Sequence, residues 1–168
     1  MGKVLEVEFG AITPDNVEQL RKVNLACFPV QYQETFYKEV SDRRDEGLCK
    51  FAYFGGFVVG AACARVEAMV DKASKQQRLY IMTLGVLAAY RGRTIGTQLI
   101  QSILDHYEAH KDNEFKDVEE IALHVQISNQ DAIDFYTKRF GFVKGDMVEN
   151  YYRRIDPPHC YLLYKKLR

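Results

Sequence analysis

A mixed α/β fold, with a mostly antiparallel sheet flanked by helices, is the class this sequence predicts, and three stretches carry the prediction. Leu79 to Leu87 is an almost unbroken apolar run of strand length. It empties into an Arg/Gly turn, after which apolar residues return at Ile95, Leu99, Ile103 and Leu104 with helical spacing. Lys50–Phe54 and Phe57–Val66 are strand-like runs split by Gly55-Gly56, a signal for an antiparallel hairpin. Val118–Val125 is a further apolar run, followed by Ser128 and Asn129, either of which can cap a short helix. Strands joined partly by hairpins and partly through helices make a mixed sheet rather than a strict alternation.

The remaining elements follow in order. Val4–Phe9 alternates apolar and polar residues and reads as a strand, and Thr13-Pro14-Asp15 offers a helix cap with proline in the first turn. Val17, Leu20, Val23 and Cys27 form the stripe of that helix, which Pro29 ends. Gln33–Val40 is a short second helix, and the charge-dense Ser41–Gly47 is a solvated connection. Ala68–Gln77 loses periodicity and reads as a surface loop. The helix after the Arg/Gly turn runs to about Ala109, Lys111–Lys116 is a polar loop, and Gly141 stops the short helix that ends at Phe140. Phe142–Val148 and Cys160–Leu167 are the last strands, separated by a turn at Pro157-Pro158. The order is β, α, α, β, β, β, α, β, α, β, β, and the 168 residues fit one domain spanning 1–168.

Composition narrows the function classes. Apolar residues at 47% and charged residues at 27% describe a soluble globular protein. Its 23 basic and 23 acidic side chains leave no net field to draw nucleic acid or an acidic membrane. Cys27, Cys49, Cys63 and Cys160 are widely spaced and lack metal-ligand grouping, so they read as small buried thiols in a reducing compartment, with no metal. No apolar stretch reaches transmembrane length, and Lys3, Glu6 and Glu8 sit where a secretory signal needs an apolar core. The expected address is the cell interior.

Two stretches invite a functional reading on their residues alone. Free N–H groups where a helix opens, beside Arg91 and Arg93, make a cradle for phosphates, although the same residues also suit an ordinary turn with solvent-facing arginines. Arg91–Gly96 has neither P-loop nor Rossmann spacing, which disfavours ATP, GTP and NAD. Phe28-Pro29-Val30-Gln31-Tyr32 lies between helices and either plugs the core or walls a pocket.

Several segments, taken in this order, carry a family resemblance: Phe28-Pro29-Val30-x-Tyr32, Tyr80-Ile-Met-Thr-Leu-Gly85, Leu123-His-Val-Gln-x-Ser-Asn129, Asp134-Phe-Tyr136 with Phe140-Gly-Phe142, and Asn150-Tyr-Tyr152 followed by Ile155. Over nearly its whole length the chain resembles the Gcn5-related N-acetyltransferases, and within them the protein N-terminal acetyltransferases of the NatE type. The resemblance implies the GNAT acyl-CoA acyltransferase fold, acetyl-CoA as cosubstrate and no metal. The family signature Gln/Arg-x-x-Gly-x-Gly/Ala is matched by Arg91-Gly-Arg-Thr-Ile-Gly96, with Thr94 where the first glycine stands. Threonine lacks glycine's dihedral freedom, yet keeps its N–H and adds a hydroxyl donor. The implied cofactor contacts are Leu84, Gly85 and Val86 on the central strand, with N–H groups splayed at Leu84 and Val86, then Arg91, Gly92, Arg93, Thr94, Ile95, Gly96 and Thr97, with Asn129 and Tyr136.

Amide formation from a thioester needs a deprotonated amine, a polarised carbonyl and a stabilised thiolate. The resemblance assigns the amine to Tyr80 and His124, acting through ordered water, and the leaving sulfur to Tyr136. An imidazole titrates near neutrality, whereas a phenol at pKa about 10 chiefly orients. On the residues alone, His124 also reads as a core histidine, Tyr80 and Tyr136 as packing tyrosines and Asn129 as a helix cap. Phe28, Pro29, Val30 and Tyr32 would form one lip of a peptide slot, Tyr151, Tyr152 and Ile155 the other, with Tyr80, Met82 and His124 also facing substrate. The implied acceptor is a protein N-terminus, preferentially Met followed by an apolar residue, with lysine acetylation secondary. Implied partners are N-terminal peptides and the auxiliary and catalytic subunits of an N-terminal acetyltransferase complex at the ribosome, without direct nucleic-acid or membrane contact. The implied compartment is the cytoplasm, with the nucleus as a second. Two alternatives stay open: a small-amine acetyltransferase, which calls for an acidic acceptor pocket, and a noncatalytic scaffold, for which Thr94 would be the first symptom.

Overall fold

Apolar alternation and paired glycines set the strands of the computed structural model, which describes residues 2–43, 47–69 and 73–168. In chain order the elements are β1 (Glu8–Ala11), α1 (Val17–Cys27), α2 (Glu34–Arg43), β2 (Cys49–Phe54), β3 (Phe57–Ala68), β4 (Gln77–Val86), α3 (Ile95–His110), β5 (Val118–Gln126), α4 (Gln130–Asp134), β6 (Val143–Val148) and β7 (Cys160–Lys166). This is the order the sequence predicts, with a 3-10 turn at Ala88–Tyr90 and a π-helical turn at Phe135–Arg139 added. The seven strands hydrogen-bond in the order β1-β2-β3-β4-β5-β7-β6. Pairing is antiparallel at β1/β2, β2/β3, β5/β7 and β6/β7 and parallel at β4/β5, so the sheet is mixed and mostly antiparallel. The expected connections Ser41–Gly47 and Ala68–Gln77 fall partly outside the described residues, and α2 runs on to Arg43. No helix among the described residues is long and apolar enough to cross a membrane. The backbone groups into two compact units, Met1–Ala64 with Met82–Phe115 and Arg65–Ile81 with Lys116–Arg168.

In the first unit, β2 and β3 form the expected hairpin from Cys49↔Cys63 to Phe54↔Phe57. Gly55 and Gly56 take φ of 59° and 81°, as a two-residue turn between twisted strands requires. β1 begins at Glu8 rather than Val4. The backbone before it is engaged elsewhere: Leu5 N–H donates to the Arg93 carbonyl at 3.2 Å and Val7 N–H to Gln98 Oε1 at 3.2 Å. α1 begins at Val17 rather than over Thr13-Pro14-Asp15, because Asn16 closes that turn. Its Oδ1 accepts from Thr13 N–H at 2.8 Å, and its Nδ2 donates to the Ala11 carbonyl at 3.0 Å. Leu20 and Val23 are buried along α1 with Asn24, while Val17 and Cys27 are half-buried. In α3 the buried stripe is Ile95, Leu99, Ile100, Ile103 and Tyr107, and Leu104, expected in it, lies beside it. Phe115, in the loop read as polar, is fully buried and stacks on Tyr107 at 6.0 Å.

In the second unit, β4 and β5 pair from Gln77↔Val118 to Tyr80↔Ala122, and β5 then pairs with β7 along Glu120↔Lys166 to Gln126↔Cys160. Leu79, Ile121, Leu163 and Cys160 fill its core, and β6 stays largely exposed. The helix expected through Phe140 is α-helical only to Asp134, then widens into the π-helical turn before Gly141 (φ 71°) ends it.

Gly60 in β3 tests how tightly the first unit is packed. A Cβ there would lie 2.8 Å from the Gly85 carbonyl, a backbone atom that cannot swing away. Gly60→Ala is expected to destabilise the fold by about 1–3 kcal/mol. Urea unfolding checks this, and an unchanged midpoint contradicts the close approach.

Candidate active site

The strand face of β4 alternates cleanly. Leu79, Ile81, Thr83 and Gly85 are buried, and Tyr80, Met82, Leu84 and Val86 are half-exposed along the other face. In the first unit the chain leaves β4 through the 3-10 turn and reaches α3 over Arg91–Thr94. Arg91 Nε donates to the Val86 carbonyl at 2.8 Å, tying the turn back to the strand end. Gly92 and Thr94 both take positive φ, 74° and 68°, and nothing lies within 4 Å of a Cβ built on Gly92. Thr94 makes no side-chain cap, so the N–H groups of Ile95, Gly96 and Thr97 have no intrahelical acceptor and stay available to an anion. Ile95, expected at the cofactor, buries its side chain and offers only its backbone. The Arg93 side chain lies against Gly2, where a built Cβ would come within 2.6 Å of its Nε.

The first aromatic lip also lies in this unit. Phe28 ends α1 in extended conformation, and a Cβ on Gly85 would be 3.4 Å from its ring, so glycine lets the lip close on the strand. Phe28 and Tyr32 meet edge-on at 6.0 Å, and Tyr32 packs on Phe36 at 5.0 Å. Val30 and Tyr32 line a cavity of about 210 Å³ with Arg21, Asn24 and Tyr37, while Pro29 is exposed. Cys27, which the sequence reading took for a buried thiol, is only half-buried, and its Sγ donates to the Val86 carbonyl at 3.5 Å.

The second unit holds the proposed proton-handling groups. Tyr80 OH lies 2.6 Å from His124 Nδ1 and 3.4 Å from Tyr151 OH, and the Tyr151 ring stacks on His124 at 4.4 Å and 19°. These three side chains form one contiguous cluster. Tyr152 packs edge-on against Tyr151 at 5.0 Å, its N–H donating to the Pro158 carbonyl at 2.8 Å, and Ile155 is half-buried. Tyr136 is buried on the π-helical turn, between Phe135 and Phe142. Asn129 caps α4, its Oδ1 accepting from Ala132 N–H at 3.2 Å, which leaves its Nδ2 donors for another contact.

Burial dominates the ionisation of this cluster. It pushes the Tyr80 phenol far above its ordinary value, with the Tyr151 hydroxyl adding to the shift, and it raises Tyr136 in the same direction. Burial also lowers His124 below 6.5, and Arg78 lowers it further while Glu67 opposes. The imidazole is therefore neutral at physiological pH and both phenols keep their protons. Arg78 and Glu67 escaped the sequence reading. Arg78 sits two residues before Tyr80 on the same strand face, its guanidinium 5.4 Å from the Tyr80 ring and its Nε 2.8 Å from Glu67 Oε1. The period-two spacing from Tyr80 was the signal that could have found it. No group of three or more His, Cys, Asp or Glu among the described residues could hold a metal.

Comparison with known proteins gives a consistent neighbourhood. Residues 17–142 match the acetyltransferase (GNAT) family. The chain is 47% identical to N-alpha-acetyltransferase 50 of Danio rerio, over 96% of this chain and 89% of that protein. It is 45% identical to the probable N-acetyltransferase san of Drosophila melanogaster, over 96% and 82%. Its structure is similar to that of Arabidopsis thaliana Naa50 in complex with the bisubstrate analogue CoA-Ac-MVNAL, with a TM-score of 0.80, 38% identity and coverage of 96% and 99%.

The charges flanking His124 give a directional test. Because the folded imidazole is held below 6.5, the acid limb of kcat/KM should inflect below that value if His124 must be neutral. Glu67→Gln removes the charge favouring imidazolium and should move the limb to lower pH, whereas Arg78→Met should move it up. Initial rates across pH check this, and shifts of the opposite sign would contradict the assignment.

Proposed function

This chain belongs to the GNAT family of acetyltransferases, and we propose that it acetylates the α-amine of protein N-termini, preferring methionine followed by an apolar residue. The observation that carries the reading is the Tyr80–His124 pair at 2.6 Å, a neutral imidazole joined to a proton-bearing phenol. Acetyl-CoA, when bound, supplies the acetyl group as a thioester. The open space over Gly92 and the unpartnered N–H groups of Ile95, Gly96 and Thr97 suit its pyrophosphate, with the exposed Arg91 beside them.

The protein's own groups account for the proton traffic. With Tyr80 OH donating to Nδ1, a proton leaving the amine through ordered water enters at the Tyr80 oxygen while Tyr80 passes its own proton to His124. Neither group needs to become an anion. At a free pKa of about 8, roughly a tenth of an α-amine is neutral at pH 7, so the relay acts mainly as the C–N bond forms and the nitrogen becomes acidic. A buried phenol raised above its ordinary value holds its proton more tightly than a thiol near 8.5 does. Tyr136 therefore stabilises the departing sulfur by donating a hydrogen bond rather than by surrendering the proton. Phe28, Val30 and Tyr32 supply apolar wall for the first side chains of the acceptor, and Tyr151 and Tyr152 supply hydroxyls for its backbone. Lysine acetylation is a secondary activity. By family resemblance the protein works with auxiliary and catalytic subunits of the NatE assembly at the ribosome, in the cytoplasm and secondarily the nucleus.

The relay requires both members. His124→Ala and Tyr80→Phe should each lower kcat by roughly 10²–10⁴ with little change in coenzyme A binding, and the double variant should lose little more than either single. Acetyl transfer by folded single and double variants checks this; wild-type kcat in either single variant sinks the relay. On a peptide panel varying the first two residues, Met-Leu should be preferred. Phe28→Ala should raise the peptide KM by about 1.5–3 kcal/mol of lost contact if the ring is fully covered by substrate. Equal rates on all first residues would defeat the peptide reading.

A further inference from the structure

We propose that Gln98 is a positioning residue for acetyl-coenzyme A, holding the pyrophosphate loop in its binding shape by clamping Thr94 to the N-terminal segment Leu5–Val7. The inference rests on the reading of Arg91–Thr97 as the pyrophosphate loop. Thr94 enters α3 at φ 68° and ψ 9°, the left-handed region. A β-branched residue is an outlier there, and it persists only where its surroundings over-determine it.

Gln98 supplies that constraint. One turn into α3, it spends its whole side-chain amide on the loop and the segment beside it: Nε2 donates to the Leu5 carbonyl at 2.7 Å and to Thr94 Oγ1 at 3.1 Å, and Oε1 accepts from Val7 N–H at 3.2 Å. Leu5 N–H adds a second tie to the loop through the Arg93 carbonyl at 3.2 Å. The clamp therefore grips both residues that precede Ile95. It also orients the threonine hydroxyl. With Gln98 donating to Oγ1, the hydroxyl hydrogen is left to be given away, and a phosphate oxygen at the helix N-terminus is a fitting acceptor. A glycine takes the same φ with no restraint, so the threonine and the glutamine work as a pair.

Calorimetric titration of the full chain with coenzyme A, alongside acetyl-CoA kinetics, tests the pair. Gln98→Met keeps the length and helix preference of the side chain but makes none of its hydrogen bonds. It should raise the Kd and the KM for acetyl-CoA about 3- to 15-fold, the worth of one to two neutral hydrogen bonds, with a much smaller change in kcat. Thr94→Val keeps the branched shape without the hydroxyl and should weaken binding in the same direction. Thr94→Gly loses the hydroxyl but needs no restraint at its φ, so it should bind more tightly than Thr94→Val, and adding Gln98→Met to Thr94→Gly should change the Kd little. Wild-type Kd in folded Gln98→Met overturns the clamp, as do Thr94→Val and Thr94→Gly proteins that bind alike; the latter comparison decides the matter if Gln98→Met does not fold. Wild-type protein that fails to bind coenzyme A would instead remove the pyrophosphate reading on which the clamp rests.

Discussion

Tyr80 and His124 meet because β4 and β5 run parallel and, after a shift between Gln77 and Arg78, hold one register from Arg78↔Glu120 to Tyr80↔Ala122. Tyr80 pairs with Ala122, and His124, two residues on, shares its face, so a phenol and an imidazole from distant parts of the chain come within 2.6 Å. A slip of one residue would turn His124 to the opposite face and leave Tyr80 without its partner. The register is held from both sides of β5. Leu79 and Ile121 are buried, and β7 pairs with β5 through Ala122↔Tyr164 and His124↔Leu162.

The same burial that holds the strands sets the chemistry of the pair. Desolvation disfavours charge on both groups, raising the phenol and lowering the imidazole. Two neutral groups joined by a hydrogen bond can take a proton at the phenol oxygen while the phenol passes its own to the imidazole, so that no buried anion, costly in this setting, is formed. The ion pair of Arg78 with Glu67 acts on His124 with opposing signs, Arg78 lowering the imidazole and Glu67 raising it. Surface pairs such as Arg21 with Glu18 lie in solvent and contribute little by comparison.

Strain is concentrated where α3 opens. Thr94 in a left-handed conformation gains nothing for helix stability, since it makes no cap. Without that cap, the N–H groups of the first turn have no protein acceptor, the arrangement an anion needs. The cost is met by neighbours, through an amide on α3 and a segment from the far N-terminus of the chain. The short β1 is the visible consequence, because Leu5 and Val7 are bonded to Arg93 and Gln98.

Much of this was legible in the residues. Hairpin glycines, the apolar run of β4 and the stripe of α3 are local patterns whose period is read directly along the chain, and they led to the element order and the sheet type. Motif order identified Tyr80, His124, Tyr136 and the Arg91–Gly96 loop as candidates. Local pattern failed where a side chain far along the chain, or a competing turn, captured the backbone. Val4–Phe9 alternates like a strand, but side-chain and loop carbonyl groups take its first hydrogen bonds. Thr13 looks like a cap, but Asn16 takes the turn. Hydrogen bonds are directional and finite in number, and the sequence does not state which donor reaches which acceptor. Distances decided the rest: that Tyr80 bonds His124 directly, that Tyr151 stacks on the imidazole, that Arg78, paired with Glu67, lies against the Tyr80 ring, and that Gln98 grips Thr94. By itself the sequence determined which chemistry-bearing residues the chain owns and the strand or helix each rides on. Only the tertiary structure decided which of them touch and how far each is buried, because contact and desolvation depend on strand register and packing between residues dozens of positions apart.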